Sequence, residues 1–234
     1  MPIALLTGAS RGLGRAFAAD LAAAGWDLVV DARDGAALEA AVATWSTSGR
    51  VIALPGDVTD ARHRSDLVSA AAGLGGLDLL VNNAGGLGPS PLPPLADLAP
   101  DDLRALFEVN TLAPLALIQR ALPLLRERGG TIVSLTSDAG VEAYPGWGGY
   151  GLTKAALEQA GRVLAVEEPS LRVHALDPGD VRTDMHQAAF PGEDISDRVT
   201  PEEVAPALLR LVERRLPSGR HRAADLLATQ EVRG

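Results

Sequence analysis

Short apolar runs alternate with amphipathic stretches from one end of this chain to the other, and that alternation restricts the fold more than any other feature. The runs at Ile3–Thr7, Leu28–Asp31, Val51–Leu54, Leu77–Val81, Thr131–Leu135 and Arg172–Leu176 are rich in Val, Ile and Leu, with a weaker one at His221–Leu226. Continuously apolar strands are covered on both faces, because a strand with one solvated face carries polar residues at every second position. Helix candidates fall between them at Gly12–Ala24, Ala36–Trp45, Ala61–Ala72, Pro100–Arg128 (long enough for more than one helix), Gly149–Glu167 and Pro201–Arg215. This pattern predicts an α/β fold, a doubly wound parallel sheet of about seven strands with helices on both faces and right-handed crossovers. Gly73-Leu74-Gly75-Gly76 and Gly129-Gly130 mark turns, and the stretch Pro89–Pro94 reads as a loop over the sheet's edge. Nothing divides the chain, so residues 1–234 are expected to form a single domain.

Composition narrows the partners. Hydrophobic residues make up 47% of the chain and charged ones 22%, enough for a sizeable core. With 21 Lys and Arg against 30 Asp and Glu, the net charge is −9, and such a surface repels nucleic acid and anionic membranes. Cysteine is absent, and His63, His174, His186 and His221 lack metal-ligand spacing, so no metal site is expected. No apolar run is long enough to span a bilayer, and the first residues lack the basic flank and cleavage site of a signal peptide. A soluble cytoplasmic protein is the expectation.

Three residue types are scarce. Lys154 is the only lysine, the other 20 basic residues being arginine; asparagine occurs only at Asn82, Asn83 and Asn110, and tyrosine only at Tyr144 and Tyr150. Keeping such residues at particular places points to a chemical requirement there, unless chance put them so. Tyr150 and Lys154 are four apart and share one face of a helix. A free phenol ionises near pH ~10, and a neighbouring ammonium favours the phenolate, each pKa unit corresponding to about 1.4 kcal/mol. The first strand ends in Thr7-Gly8-Ala9-Ser10-Arg11-Gly12-Leu13-Gly14. Glycines there allow a tight turn and a close approach of backbone to a pyrophosphate on the helix N-terminus, although a plain strand-to-helix turn uses them too. The spacing is G-x-x-x-G-x-G rather than the commoner G-x-G-x-x-G.

Further along stand Asp57-Val58, Asn82-Asn83-Ala84-Gly85, Asn110, Ser137 (thirteen residues before Tyr150) and Pro178-Gly179-Asp180-Val181-Arg182-Thr183. With these in register, residues 3 to 185 resemble the short single-domain branch of the short-chain dehydrogenase/reductase family. The resemblance implies a Rossmann-like fold and an NAD(P)(H)-dependent oxidoreductase that interconverts a small carbonyl compound and an alcohol by hydride transfer. It also assigns roles. Tyr150 is the general acid/base, Lys154 holds the nicotinamide ribose, Ser137 positions the substrate oxygen, and Asn110 braces a helix bend and a relay water. Gly8, Ser10, Arg11, Gly12, Leu13 and Gly14 cradle the cofactor's phosphates, Asp57 and Val58 face its adenine, and Asn83, Ala84 and Gly85 lie along its ribose. Pro178, Gly179, Val181 and Thr183 meet the nicotinamide end. A homodimer or homotetramer through helices at roughly 100–128 and 149–167 is implied as well.

NADP(H) is the expected cofactor. The position where NAD-using relatives carry a ribose-binding acid aligns with Ala32, and Arg33 and Arg11 offer cations to a 2′-phosphate. An alignment shifted by one residue puts Asp31 there and favours NAD(H). Residues 184–199 are expected to form a lid, with Val141, Tyr144, Trp147, Met185 and Phe190 as an apolar wall suited to a carbonyl compound with a hydrophobic part. His174 stands where many relatives have asparagine, and a glycine pair common after the last strand is missing. Two other readings use the same motifs: a nucleotide-sugar epimerase or dehydratase, which normally needs a longer C-terminal region, and a non-catalytic dinucleotide sensor.

Overall fold

The structure, a computed structural model, describes residues 1–228. The last six residues of the expected domain, 229–234, lie outside the described ones. Seven strands form one sheet in the order β3-β2-β1-β4-β5-β6-β7, every pair parallel. They are β1 (Ile3–Leu6), β2 (Asp27–Ala32), β3 (Val51–Pro55), β4 (Leu79–Asn82), β5 (Thr131–Leu135), β6 (Arg172–Asp177) and β7 (Gly219–Arg222). The helices are α1 (Gly12–Ala23), α2 (Gly35–Val42), α3 (Ala61–Leu74), α4 (Pro100–Phe107), α5 (Ala113–Arg128), α6 (Gly148–Glu167), α7 (Asp184–Ala189), α8 (Pro201–Val204), α9 (Pro206–Glu213) and α10 (Ala223–Ala228).

Alternation within the strands explains why they read as unbroken apolar runs. Ala4 and Leu6 of β1 face one layer, with Phe17 and Leu21 of α1 and Leu208 and Leu211 of α9. Ile3 and Leu5 face the opposite layer, with Leu67 of α3 and Leu117, Ala121 and Leu125 of α5. Each strand is therefore buried on both sides. The chain winds outward from β1 to β3, then returns to β4 on the other side of β1, and this reversal opens a crevice beyond the carboxyl ends of β1 and β4.

Two boundaries differ from the expectations, and a third stretch resolves, as expected, into more than one helix. The stretch Pro100–Arg128 is two helices joined by a wide π-turn at Glu108–Leu112. Pro114, having no N–H, cannot bond back to the Asn110 carbonyl, which favours a wider turn there. Pro206 likewise splits Pro201–Arg215 into α8 and α9. The last strand ends at Arg222, and residues 223–226, expected as strand, are helical because Ala-Ala-Asp-Leu-Leu-Ala has strong helix propensity and lies past the end of β6.

Candidate active site

The turn after β1 is built around its glycines. Gly8 and Gly12 have φ of +75° and +55°, which side-chain-bearing residues rarely adopt. A Cβ on Gly14 would stand 2.1 Å from the Gly8 carbonyl oxygen, so only glycine lets α1 start so close to β1. Asn83 braces this turn, its Nδ2 donating to the carbonyls of Thr7 (2.8 Å) and Gly8 (3.1 Å). In return, Thr7 Oγ1 accepts the backbone N–H groups of Asn83 and Ala84 at 3.1 Å each. Ser10 and Leu13 flank the turn half-buried, and Arg11 at the N-cap offers no side-chain bond to the first turn of α1. Those uncapped N–H groups carry the positive end of the helix dipole, an arrangement that fits a pyrophosphate.

At the end of β2, Asp31 is buried and both its oxygens are engaged. One accepts the Gly8 N–H at 2.8 Å and the other meets His63 Nε2 at 3.0 Å. Burial pushes the Asp31 carboxyl up, and the hydrogen bond to Asp31 holds His63 above its ordinary value. Arg33 is exposed, two residues on. Its charge reaches Asp57: burial raises that carboxyl, but two hydrogen bonds from Thr59, followed by the charges of Arg33 and His63, bring it below the usual range. Val58 is buried beside it. Arg11, by contrast, pairs with Asp184 at 3.1 Å on the surface.

The first two turns of α6 bring together Tyr150 and Lys154, the residues expected to transfer protons. Tyr150 and Lys154 are both buried, with Nζ 5.4 Å from the Tyr150 ring centroid and donating to the Leu135 carbonyl at 2.8 Å. The helix packs directly on the turn that carries Ser137, for a Cβ on Gly151 would lie 2.3 Å from the Ala139 carbonyl oxygen. Ser137 Oγ donates to Asp138 Oδ1 (3.0 Å) and accepts the Ala139 N–H (3.2 Å). Asn110 sits in the π-turn, exchanging two hydrogen bonds with the Gly86 backbone and donating to Thr153 Oγ1 at 3.0 Å on α6. A Cβ on Gly85 would come within 3.0 Å of Asn110 Oδ1, so that glycine clears space for the amide.

The electrostatics differ from a simple lysine–phenolate pairing. Burial, then the charges of Asp177 and Asp138, raise the Tyr150 phenol well above its ordinary value, so it stands as a neutral proton donor. Burial pushes Lys154 down to about 8, opposed by the charge of Glu158. In this frame desolvation outweighs the ammonium, a balance that spacing alone does not reveal.

The wall around Tyr150 is only partly the expected one. Trp147 meets its ring edge-on at 5.8 Å, and Phe190 lies 6.0 Å from Trp147. Val141, Tyr144 and Met185 are exposed, with the Tyr144 hydroxyl held between Asp138 and Glu142. In their place Leu87 and Ala139 pack on Tyr150, joined by Leu92, Ala188 and Ala189. The segment Pro89–Pro94 thus runs beside the site rather than over the sheet's edge, and Ser90 Oγ donates to the Ala188 carbonyl at 2.7 Å. Leu87 and Leu92, apolar residues in a loop otherwise of Gly, Pro and Ser, were the signal for this.

Pro178 and Gly179 follow β6, the Gly179 N–H bonding Asp177 Oδ1 at 3.0 Å. Val181 is buried and pairs with Val199, so residues 184–199 leave and rejoin the body at one place. Thr183 caps α7 through the His186 N–H at 3.2 Å and approaches Gly12, where a Cβ would lie 3.5 Å from its methyl. The helix itself was not foreseen, although a threonine followed by aspartate is a helix-start signal. Among the described residues no group of acids and histidines is placed to hold a metal, and no helix is long and apolar enough to cross a membrane.

Comparison with known proteins agrees with this geometry. The family model for short chain dehydrogenases matches residues 2–194. An uncharacterized oxidoreductase of Mycobacterium tuberculosis is 32% identical over 214 residues, 89% of this chain and 79% of that protein. A short-chain type dehydrogenase/reductase of Sinorhizobium fredii, also uncharacterized, is 34% identical over 90% of this chain and 85% of its own. Among solved structures, a short chain dehydrogenase of Shigella flexneri complexed with NADP superposes with a TM-score of 0.88 at 29% identity, covering 95% of this chain and 97% of that one. An alcohol dehydrogenase of the archaeon Thermococcus sibiricus complexed with 5-hydroxy-NADP gives 0.85 at 29% identity over 95% of each chain. A glycine turn shaped for a dinucleotide, a buried tyrosine–lysine pair on one helix and these likenesses lead to one conclusion: the chain belongs to the short-chain dehydrogenase family of oxidoreductases.

Proposed function

We propose that this protein is an NADP(H)-favouring oxidoreductase that interconverts a small carbonyl compound and its alcohol, with Tyr150 as the general acid/base. The observation that carries the reading is the buried Tyr150–Lys154 pair on α6, with Nζ 5.4 Å from the ring centroid, on a helix packed against the turn that carries Ser137. Bound NADP(H) supplies or accepts the hydride. Tyr150 gives its proton to the substrate oxygen in reduction and takes it back in oxidation, while Ser137 positions that oxygen. Lys154 stabilises the phenolate left behind and holds the nicotinamide ribose, and Asn110 keeps its helix turn against α6. Gly8, Ser10, Arg11, Gly12, Leu13 and Gly14 would hold the phosphates, with Asp57, Val58, Asn83, Ala84 and Gly85 at the adenosine and Pro178, Gly179, Val181 and Thr183 at the nicotinamide.

The preference for NADP(H) is supported by the state of Asp31. Asp31 is buried and already bonded to Gly8 and His63, which disfavours it as a ligand of a ribose diol, whereas Arg33 is exposed and its charge reaches Asp57. The NADP complexes of the two solved relatives point the same way. Residues 184–199 act as a lid over an apolar, partly aromatic pocket, which favours substrates with a hydrophobic part. A cytoplasmic homo-oligomer completes the reading.

Titration with NADPH and NADH, followed by nicotinamide fluorescence, tests the cofactor. Tighter NADPH binding is expected, and Arg33→Gln is expected to weaken NADPH by about tenfold or more while leaving NADH nearly unchanged. Equal losses for both would refute the assignment of Arg33.

A further inference from the structure

One turn beyond Lys154, Glu158 is a buried carboxylate that the proposed chemistry does not use. Its Oε1 accepts the Thr136 hydroxyl (2.5 Å) and Arg220 Nε (3.0 Å), and its Oε2 accepts Arg162 Nη2 (3.1 Å). Arg220 comes from β7 and also donates to Asp177 Oδ2 at 2.8 Å, at the end of β6. A chain of ions thus joins the proton-transfer helix to the last two strands. Buried ion networks are often no more stabilising than apolar residues of the same volume, because desolvation offsets the attraction. Stability alone is a weak reason to keep one here.

We propose that Glu158, held by Arg220, is a positioning residue for Lys154, keeping its side chain charged and aimed at the Leu135 carbonyl beside Tyr150. The proposal rests on the reading of Lys154 as part of the proton-transfer pair. The charged groups around that pair are Glu158 and Arg162 from α6, Asp138 from the turn after β5, Asp177 from β6 and Arg220 from β7. Glu158 is the one whose charge opposes the desolvation of Lys154. Arg220 divides its attraction between Glu158 and Asp177, so it sets how much of the Glu158 charge Lys154 experiences.

The chain supplies its own probe, because Lys154 is its only lysine. Protein grown with lysine isotopically labelled at Cε gives one side-chain resonance, whose pH midpoint reports Lys154 with no substrate required. Glu158→Gln is expected to move that midpoint down by about one pH unit, and Arg220→Met to move it up. The alkaline limb of carbonyl reduction should follow the midpoint in each variant. Folded Glu158→Gln protein with an unmoved midpoint overturns the proposal, and so does a shift of the same sign in Glu158→Gln and Arg220→Met. If Arg220→Met does not fold, Glu158→Gln and Arg220→Gln, which likewise removes the positive charge, still decide. Opposite shifts in a protein that turns over no carbonyl compound would uphold the link to Lys154 and refute the oxidoreductase reading instead.

Discussion

Asn110 and Gly86 are joined by two reciprocal hydrogen bonds, the Gly86 N–H to Asn110 Oδ1 and Asn110 Nδ2 to the Gly86 carbonyl, each 2.8 Å long. The amide mimics a strand partner for the loop after β4 and so locks that loop to the π-turn. Asn110→Leu leaves the N–H and carbonyl of half-buried Gly86 without these bonds, at a cost of up to about 1–3 kcal/mol each. A fall in unfolding free energy of that order is expected, together with at least a tenfold loss of kcat. Denaturant unfolding and steady-state kinetics on one preparation check both, and an unchanged stability would show that the clamp contributes nothing.

Tyr150→Phe removes the only proton donor proposed for the substrate oxygen. Turnover is expected to drop by about 10²–10⁴-fold, with NADPH affinity changed no more than a few-fold. In the wild-type protein, carbonyl reduction is expected to decline as pH rises through about 8, where Lys154 loses its proton and the phenolate loses its stabilising charge. A flat rate between pH 7 and pH 10 would count against the ammonium's role.

His174 carries a stability signal separate from catalysis. It is buried on β6 with Nδ1 3.2 Å from His221 Nε2, and its own Nε2 has no hydrogen-bond partner among the described residues. Burial, then the charges of His221 and Arg172, push its pKa down to about 4. Below about pH 6.5 the unfolded chain takes up a proton that the folded protein refuses, so stability is lost as pH falls from there towards 4. The loss amounts to at most about 3 kcal/mol. His174→Asn is expected to flatten this part of the stability profile in urea unfolding; an identical slope in the variant would assign acid sensitivity elsewhere.

Two glycines with different reasons for being glycine separate close approach from backbone strain. At Gly14 a Cβ would meet the backbone oxygen of Gly8 at 2.1 Å, which no side-chain adjustment relieves. Gly14→Ala is expected to abolish cofactor binding and to destabilise the fold by about 3 kcal/mol or more. At Gly179 a Cβ would meet nothing within 4 Å among the described residues, and only the φ of +74° resists a side chain. Gly179→Ala is expected to cost about 1–2 kcal/mol while retaining dinucleotide binding. Thermal shift with and without NADPH distinguishes the two, and similar behaviour of both variants would contradict the close-approach argument.

The sequence by itself determined the parallel sheet, its double winding and the glycine turn, because the local signals for them agree. Strands covered on both faces read as unbroken apolar runs, and the scarcity of lysine, asparagine and tyrosine drew attention to Lys154, Asn110 and Tyr150 before any coordinates. Hydrophobic periodicity reports that a residue is buried but not which partner meets it, and there the reading stopped. A one-residue choice of alignment separated Ala32 from Asp31 as the position facing the ribose, and only the fold shows Gly8 and His63 at the two Asp31 oxygens. Leu92 lies in the stretch expected to run over the sheet's edge, and only the winding of the chain puts it, with Leu87, against Tyr150. The tertiary structure also decided the charge balance of the site. Desolvation depends on everything packed around a group, and the charges that act with it on the pair, Glu158, Asp138 and Asp177, come from three parts of the chain that only the folded sheet brings together.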